Sequence, residues 1–146
     1  METRYQRHIQ LDEVGTTGQE KIKKAKVLVI GAGGLGCPAL QYLTAAGVGL
    51  LGIMDPDMVS ISNLQRQILY NEDDLGNNKA LCAKEHLRKL NAEIELKAFP
   101  WALTHDNAAE HIAEFDLVLD GTDNFYTRYL ISDQCILLNK VMVYGA

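Results

Sequence analysis

A glycine-rich segment opens the part of the sequence that is best suited to chemistry. Its glycines, Gly31, Gly33, Gly34 and Gly36, form a G-x-G-x-x-G pattern after a short apolar run and before a helix-like stretch. Glycines allow a tight turn and a close approach to phosphate, and a helix start offers free N–H groups to an anion. Asp55 closes the next apolar run about 20 residues later, where it can accept hydrogen bonds from ribose hydroxyls. Together these features predict a nucleotide site, and a turn cap before Pro56 is a compatible role for Asp55.

A second polar segment, NLQRQ, lies in the long connection after that second apolar run. Asn63, Arg66 and Lys79 can converge on a polyphosphate, with Arg66 as a forked donor and Lys79 as a point charge. Taken singly, each residue is more typical of a solvated surface, and Gln65 and Gln67 could face solvent. The glycine loop alone serves ATP and NAD equally. The joint occurrence of the three residues beside it favours ATP.

A third segment, Asp120-Gly121-Thr122-Asp123-Asn124, follows a later apolar run. An aspartate here can bind a Mg²⁺ ion that bridges phosphate oxygens, because this ion prefers one or two carboxylates together with phosphates. The alternative is a Thr-Asp-Asn helix cap, for which the same residue types are favoured. The presence of the two other segments favours the metal interpretation.

Two arginines near the start of the chain are further candidates. Arg4 and Arg7 flank Tyr5, and they are either surface charges or groups that reach a phosphate across a subunit interface, where they would stabilise transition-state charge. A structural role is the better interpretation for His8. The remaining histidines form no metal-ligand spacing with a carboxylate or a cysteine.

Composition sets the limits for these hypotheses. With 146 residues, 47% hydrophobic and 23% charged, the chain has the size and composition of one globular domain. A net charge of −5 argues against general binding to nucleic acid or to an anionic membrane. We find no signal peptide and no apolar stretch long enough to cross a membrane, so we expect a cytoplasmic protein. The cysteines, Cys37, Cys82 and Cys135, lack C-x-x-C spacing and are expected to be reduced and mostly buried.

The elements that must position these residues alternate along the chain. Apolar runs predict strands at 26–30, 50–54, 115–120 and 141–145, and an alternating pattern predicts a further strand at 94–99. Helices are predicted at about 37–47, 77–91, 106–114 and 126–138, after one or two short helices in 4–24 with breaks at Gly15 and Gly18. This alternation predicts an α/β fold, a doubly wound, mostly parallel, Rossmann-like sheet with helices on both faces.

The expected organisation is a single domain. Residues 1–24 should form an N-terminal helical segment, and residues 25–146 the Rossmann-like core. The sequence stops at Gly145-Ala146 directly after a strand, where an open sheet seldom ends without a cover over its edge. We therefore expect a fragment or an N-terminal half, truncated after the fifth strand.

Several stretches together resemble the ThiF/MoeB/HesA family, relatives of the ubiquitin-activating enzymes. They are RYQRHIQL, VLVIGAGGLGCPALQYLTAAGVG, IMDPDMVSISNLQRQILY, LGNNK and LDGTDNFYTRYLISD, and the resemblance runs from Arg4 to the last residue. It implies an adenylyltransferase that uses ATP and Mg²⁺ on the C-terminal Gly-Gly carboxylate of a ubiquitin-like sulfur-carrier protein. The reaction would release pyrophosphate and serve thiamine or molybdopterin biosynthesis.

The resemblance also implies roles for individual residues. Gly34 would contact the α-phosphate and Asp55 the ribose, while Asn63, Arg66 and Lys79 would contact phosphates. Asp123 would bind Mg²⁺, and Arg7 would reach into the site of the neighbouring subunit in a homodimer.

Part of the family pattern is absent from this sequence, namely two C-x-x-C zinc pairs and a loop cysteine for sulfur transfer. Zinc is therefore expected only in a C-terminal portion outside this sequence, and none of the cysteines is assigned to sulfur chemistry. Two other functions remain open. One is an NAD-dependent oxidoreductase domain, supported only by the glycine loop and Asp55, without an obvious His–carboxylate or Tyr–Lys pair. The other is a non-catalytic, truncated nucleotide-binding module used for dimerisation.

Overall fold

The computed structural model describes residues 4–145. Five strands form one parallel sheet: β1 (Lys26–Ile30), β2 (Leu50–Met54), β3 (Glu95–Phe99), β4 (Leu117–Asp120) and β5 (Val141–Tyr144). Their order is β3-β2-β1-β4-β5, and central Val29 pairs with Ile53 on one side and Leu119 on the other. The predicted doubly wound fold is therefore confirmed, and the strand order reverses between β1 and β4.

Within the described residues, six α-helices connect and precede these strands. They are α1 (Gln6–Ile9), α2 (Gly15–Lys24), α3 (Gly36–Ala46), α4 (Lys79–Leu90), α5 (Ala108–Ala113) and α6 (Phe125–Leu137). The chain leaves α3 through Gly47, whose φ of 81° lies in the left-handed region that favours glycine. Within residues 4–145, none of the helices combines the length and the apolar composition that crossing a bilayer requires.

The two faces of the sheet carry separate apolar clusters, because successive side chains of a strand point to opposite faces. Val29 packs with Leu40 and Leu87 on the face covered by α3 and α4. Leu28 packs with Phe115 and with Ile131 of α6 on the other face. Both faces of β1 are thus buried, which explains why its sequence is continuously apolar rather than alternating.

Gly18 differs from its expected role. It lies inside α2 instead of breaking it, and Gly15 is the first residue of that helix. A glycine within a helix costs only about 1 kcal/mol relative to alanine, so neighbouring residues and packing can carry the helix through it.

The N-terminal segment docks at the amino ends of the strands. Tyr5 is buried, its hydroxyl donates to the Glu93 carboxylate at 3.1 Å, and its ring packs against Gly47. Asn91 Nδ2 donates to the same hydroxyl at 3.0 Å. Because Gly47 precedes β2 and Glu93 precedes β3, the segment around Tyr5 lies at the edge of the sheet where those strands begin.

Candidate functional site

A cavity of about 660 Å³ opens beyond the carboxyl ends of β1, β2 and β4, at the end of the sheet opposite to the Tyr5 segment. It lies where the strand order reverses, which is the usual ligand position in open parallel sheets. The predicted residues that line it are Gly31, Gly33, Gly34, Asp55, Arg66, Lys79 and Asp123. Three other predicted residues, Arg7, Asn63 and Gly36, do not belong to its lining.

The glycine loop is packed tightly on its underside. Gly31 has φ of 91°, and a Cβ there would lie 2.8 Å from the backbone of Gly121. A Cβ on Gly36 would overlap the carbonyl oxygen of Gly31. These two glycines therefore let the loop, the start of α3 and the turn after β4 approach one another, while Gly33 and Gly34 face the cavity.

Asp55 is buried at the cavity and is held by the backbone. Its Oδ2 accepts from the Ala32 N–H at 2.7 Å, and its Oδ1 accepts from the Asp57 N–H at 2.8 Å. Burial raises the pKa of this carboxyl above its usual value, although both N–H groups and Lys79 act in the opposite direction. A carboxylate has about four lone-pair sites, so acceptor capacity remains for a ligand hydroxyl. The turn-capping role and a ribose-binding role are thus compatible.

Lys79 begins α4 and is buried, so the interpretation of it as a helix-surface charge is wrong. Its Nζ lies 3.2 Å from Asp57 Oδ2. A buried ammonium group is costly unless it is paired, and Asp57 supplies that pairing here. Arg66 is exposed, donates from Nη1 to the Ser62 carbonyl at 3.2 Å, and lies over Gly34.

Asn63 shapes the segment that carries these residues without lining the cavity. It ends a short 3-10 helix, Ile61–Asn63. Its carbonyl accepts from the N–H groups of Arg66 at 3.1 Å and Gln67 at 2.9 Å. The structure therefore gives Asn63 a role in building the turn on which Arg66 and Gln67 sit.

The buried carboxylate of Asp120 holds the turn that follows β4. Asp120 Oδ1 accepts from the N–H of Thr122 at 2.9 Å and from its hydroxyl at 2.7 Å. Arg128 Nη2 donates to the Thr122 carbonyl at 3.4 Å, and its guanidinium carbon stands 4.0 Å from the ring centroid of Tyr144. These contacts hold the turn that contains Asp123.

The helix cap predicted as the alternative for this turn is made by Asn124. Its side chain accepts from the Thr127 N–H at 2.9 Å at the start of α6. Asp123 is exposed on the cavity wall. Within residues 4–145, no three His, Cys, Asp or Glu side chains are grouped as a complete metal site. Mg²⁺ in nucleotide enzymes commonly takes one or two carboxylates plus phosphate oxygens, and Asp123 beside bound phosphates fits that donor set.

Arg7 stands apart from the cavity. It is exposed on α1, and its Nη1 donates to Gln10 Oε1 at 3.4 Å. It follows Tyr5, which is docked at the amino ends of the strands, whereas the cavity lies at their carboxyl ends. The structure does not bring Arg7 to the cavity of its own chain.

Several residues that line the cavity are poorly marked in the sequence. Gln67 is buried, so the expectation that it faces solvent is wrong, whereas Gln65 is exposed. Asp57 follows the same strand end as Asp55, which is a usable signal. Leu103 forms an apolar part of the cavity wall, and no sequence motif marks it. Two residues earlier, Trp101 donates from Nε1–H to His111 Nε2 at 3.2 Å.

Comparison with known proteins gives consistent results. A model of the ThiF family matches residues 5–146. The sulfur carrier protein adenylyltransferase of Thermus thermophilus is 51% identical over 98% of this chain and 53% of its own length. The probable molybdopterin-synthase adenylyltransferase of Porphyra purpurea is 49% identical over 99% of this chain and 38% of its own length. The crystal structure of E. coli MccB with ATP superposes with a TM-score of 0.88 at 28% identity, covering 100% of this chain and 45% of that one.

The chain thus spans about half of the first of these relatives and less of the second. Their names favour ATP chemistry over the NAD-dependent alternative. A family match over nearly the whole sequence agrees with the sheet order and with the glycine loop, and the chain belongs to the ThiF family.

Proposed function

We propose that this chain supplies the ATP-binding, adenylating part of an enzyme that acts on a ubiquitin-like sulfur-carrier protein. The carrier's C-terminal Gly-Gly carboxylate would receive AMP, in thiamine or molybdopterin biosynthesis. The observation that carries the proposal is the convergence of the glycine loop, Arg66, Lys79 and Asp123 on one cavity. The names of its relatives, a sulfur carrier protein adenylyltransferase and a molybdopterin-synthase adenylyltransferase, support it.

The proposed reaction needs positioning more than covalent catalysis. A carboxylate oxygen of the carrier attacks the α-phosphorus of ATP, a new P–O bond forms, and the bond to the departing pyrophosphate breaks. Gly33 and Gly34 let the α-phosphate approach the loop, and Asp55 holds the ribose. Lys79 and Arg66 neutralise charge on the phosphates. Mg²⁺, when held by Asp123 and the phosphates, supplies further charge neutralisation.

We also propose that the working unit is a homodimer in which Arg7 serves the neighbouring subunit. The placement of α1 at the amino ends of the strands supports this, because Arg7 is remote from its own cavity.

A cytoplasmic location is proposed as well, supported by three buried, unpaired thiols, which a reducing compartment maintains. Cell fractionation that recovered the protein outside the cytoplasm would contradict the proposed location.

The test of nucleotide choice is calorimetric titration of the 146-residue chain with ATP–Mg²⁺ and, separately, with NAD. We expect ATP to bind and NAD not to bind. Arg66→Ala should weaken ATP binding about tenfold or more, because hydrogen bonds to charged groups are each worth about 1.5–3 kcal/mol.

Arg88→Ala is the matched control, since Arg88 is an exposed arginine at the far end of α4 and does not line the cavity. It should leave ATP binding unchanged. A preference for NAD, or equal effects of the two substitutions, would contradict the proposed function.

A further inference from the structure

Tyr70 is a buried tyrosine in the connection between β2 and α4. Only 5% of the residue is exposed, and it belongs to the apolar cluster on the face covered by α3 and α4. Its hydroxyl donates to the Ala32 carbonyl at 2.8 Å, across 38 residues of sequence. Burial raises the pKa of this hydroxyl far above its usual 10, so it remains a hydrogen-bond donor throughout the neutral pH range.

The carbonyl that Tyr70 holds lies inside the glycine loop. The Ala32 oxygen also accepts from Cys37 Sγ at 3.3 Å, while the Ala32 N–H donates to Asp55 Oδ2 at 2.7 Å. A thiol is a weak donor, so the hydroxyl of Tyr70 makes the stronger of the two bonds to this carbonyl. The loop backbone is therefore fixed at Ala32 from the buried side.

The geometry of the next peptide group links this bond to the cavity. The Ala32–Gly33 peptide is trans, so its C=O and N–H groups point in opposite directions. Because the carbonyl is directed at the buried Tyr70 and Cys37, the Gly33 N–H points away from that buried side. Gly33 lines the cavity, and within residues 4–145 its N–H has no backbone acceptor. Such an N–H can donate to an anionic oxygen, whereas a carbonyl turned the same way would repel it.

We propose that Tyr70 is a positioning residue whose hydroxyl fixes the Ala32–Gly33 peptide with the Gly33 N–H directed at the phosphates of the bound nucleotide. Tyr70 acts through the loop, because it does not belong to the cavity lining. The inference rests on the proposed function, since it assumes a phosphorylated ligand in this cavity.

Tyr70→Phe removes the hydroxyl and keeps the ring that packs in the core. The peptide can then rotate about ψ of Ala32 and φ of Gly33, which leaves the Ala32 N–H and its bond to Asp55 in place. We expect the Kd for ATP–Mg²⁺ to rise about fivefold. The Kd for adenosine, which carries the base and the ribose without phosphate, should stay the same. Chemical-shift titration of the ¹⁵N-labelled 146-residue chain measures both values, including weak binding of adenosine.

Tyr42→Phe is the matched control, because it makes the same exchange at a tyrosine of α3 that is 78% exposed. It should change neither Kd. Equal weakening of ATP and adenosine binding in Tyr70→Phe would overturn the proposal, since it would show a general structural role. An unchanged Kd for ATP in that variant would overturn it as well.

A second variant covers the case in which Tyr70→Phe does not fold. Cys37→Ala removes the weaker donor to the same carbonyl, so the Kd for ATP should rise about twofold while that for adenosine stays the same. Unchanged ATP affinity in a folded Cys37→Ala chain would then overturn this inference alone. Failure of the unmodified chain to bind ATP would contradict the proposed function too.

Discussion

Lys79 and Asp57 form an ion pair whose two partners differ greatly in exposure. The lysine side chain is 7% exposed, and the aspartate side chain is 67% exposed. The carboxylate can therefore swing into solvent at little cost, whereas the ammonium group must keep a partner close by. In the proposed function, an incoming phosphate would take the place of Asp57, and the ion pair would hold Lys79 in position before that exchange.

Cys37 shows how burial governs the response to pH. Its side chain is fully buried, its thiol donates to the Ala32 carbonyl at 3.3 Å, and burial raises its pKa above the ordinary 9.0. Above about pH 9 the unfolded chain releases this proton while the native protein retains it. The unfolded state then binds fewer protons, so stability falls as pH rises.

We therefore predict that the free energy of unfolding declines between pH 8 and pH 10. Each such thiol contributes up to about 1.4 kcal/mol per pH unit above its unfolded pKa. Urea unfolding at the two pH values measures the decline, and Cys37→Ala should reduce it. The pKa values of Cys82 and Cys135 are also raised, so part of the decline should remain in that variant. Stability that is flat or increasing over this range would contradict the prediction.

At the residue scale, local spacing predicted Gly33, Asp55 and Lys79 at the cavity but not Asp57 or Gln67. Gly33, Asp55 and Lys79 each follow or precede a recognisable strand or helix end, and the ends of parallel strands meet at one edge. Gln67 lies beside Gly33, which is distant in sequence, and local pattern does not encode such proximity. Residue type alone favours solvent for a glutamine.

Two helices of the site begin with asparagine caps. The Asn78 side chain accepts from the Leu81 N–H at 3.2 Å and donates to the Asp55 carbonyl at 3.0 Å. Lys79 follows it directly. Asn124 caps α6 directly after Asp123. Each cap therefore fixes a helix start and, with it, the neighbouring residue proposed to meet phosphate or Mg²⁺.

Gly36 determines how closely α3 approaches the loop before it. Because its Cβ would overlap the Gly31 carbonyl oxygen, Gly36→Ala must displace backbone rather than a flexible side chain. We predict a loss of about 3 kcal/mol in the free energy of unfolding, measured by urea denaturation.

Gly33→Ala provides the comparison within the same loop. A Cβ there would meet Gln67 Nε2 at 3.5 Å, an ordinary van der Waals distance, so stability should change by less than about 1 kcal/mol. Equal losses for the two variants would show that the crowding at Gly36 is not what limits the packing of α3.

At the scale of elements, the sequence predicted the strands well, because four are short apolar runs, β3 alternates, and each is followed by glycine, aspartate or proline. β1 and β2 have the predicted bounds, and β4 begins two residues later than the predicted run, at Leu117. The order of the strands and the short helical turns between β2 and α4 were not predicted. They depend on crossover packing and on contacts between distant residues, which local pattern does not encode.

In the molecule as a whole, the cavity and Arg7, which are both proposed to serve catalysis, lie far apart. The cavity lies at the carboxyl ends of the strands, and the segment bearing Arg7 lies at their amino ends. Exposed apolar side chains also cluster on α6 and β5: Tyr129, Ile136, Leu137, Val141, Val143 and Tyr144. Clusters of this kind mark contact surfaces in many proteins.

We predict complementation between two inactive variants of the full-length protein. Arg7→Ala removes the proposed donor to the neighbouring site, and Asp123→Ala removes the proposed metal ligand. In a mixed dimer, one site combines an intact Arg7 from one subunit with an intact Asp123 from the other. Carrier-dependent ATP–pyrophosphate exchange should therefore recover to about a quarter of the unmodified level in an equimolar mixture, by random pairing of subunits.

Each variant alone, assayed at the same total concentration, is the control. Activity of the mixture equal to the sum of the two variants would refute action across the dimer. Full activity of Asp123→Ala would instead refute the metal assignment.

The position of Trp101 determines what the tryptophan fluorescence of this protein can report. The sequence contains a single tryptophan, it is 45% exposed, and it adjoins Ala102 and Leu103 on the cavity wall. Its indole N–H is bonded to His111, and its ring lies 5.8 Å from that of Phe99. Tryptophan fluorescence of the unlabelled protein thus comes from one indole beside the cavity wall. We expect its emission to change when a ligand occupies the adjoining cavity, without a dye, a tag or a background from other tryptophans.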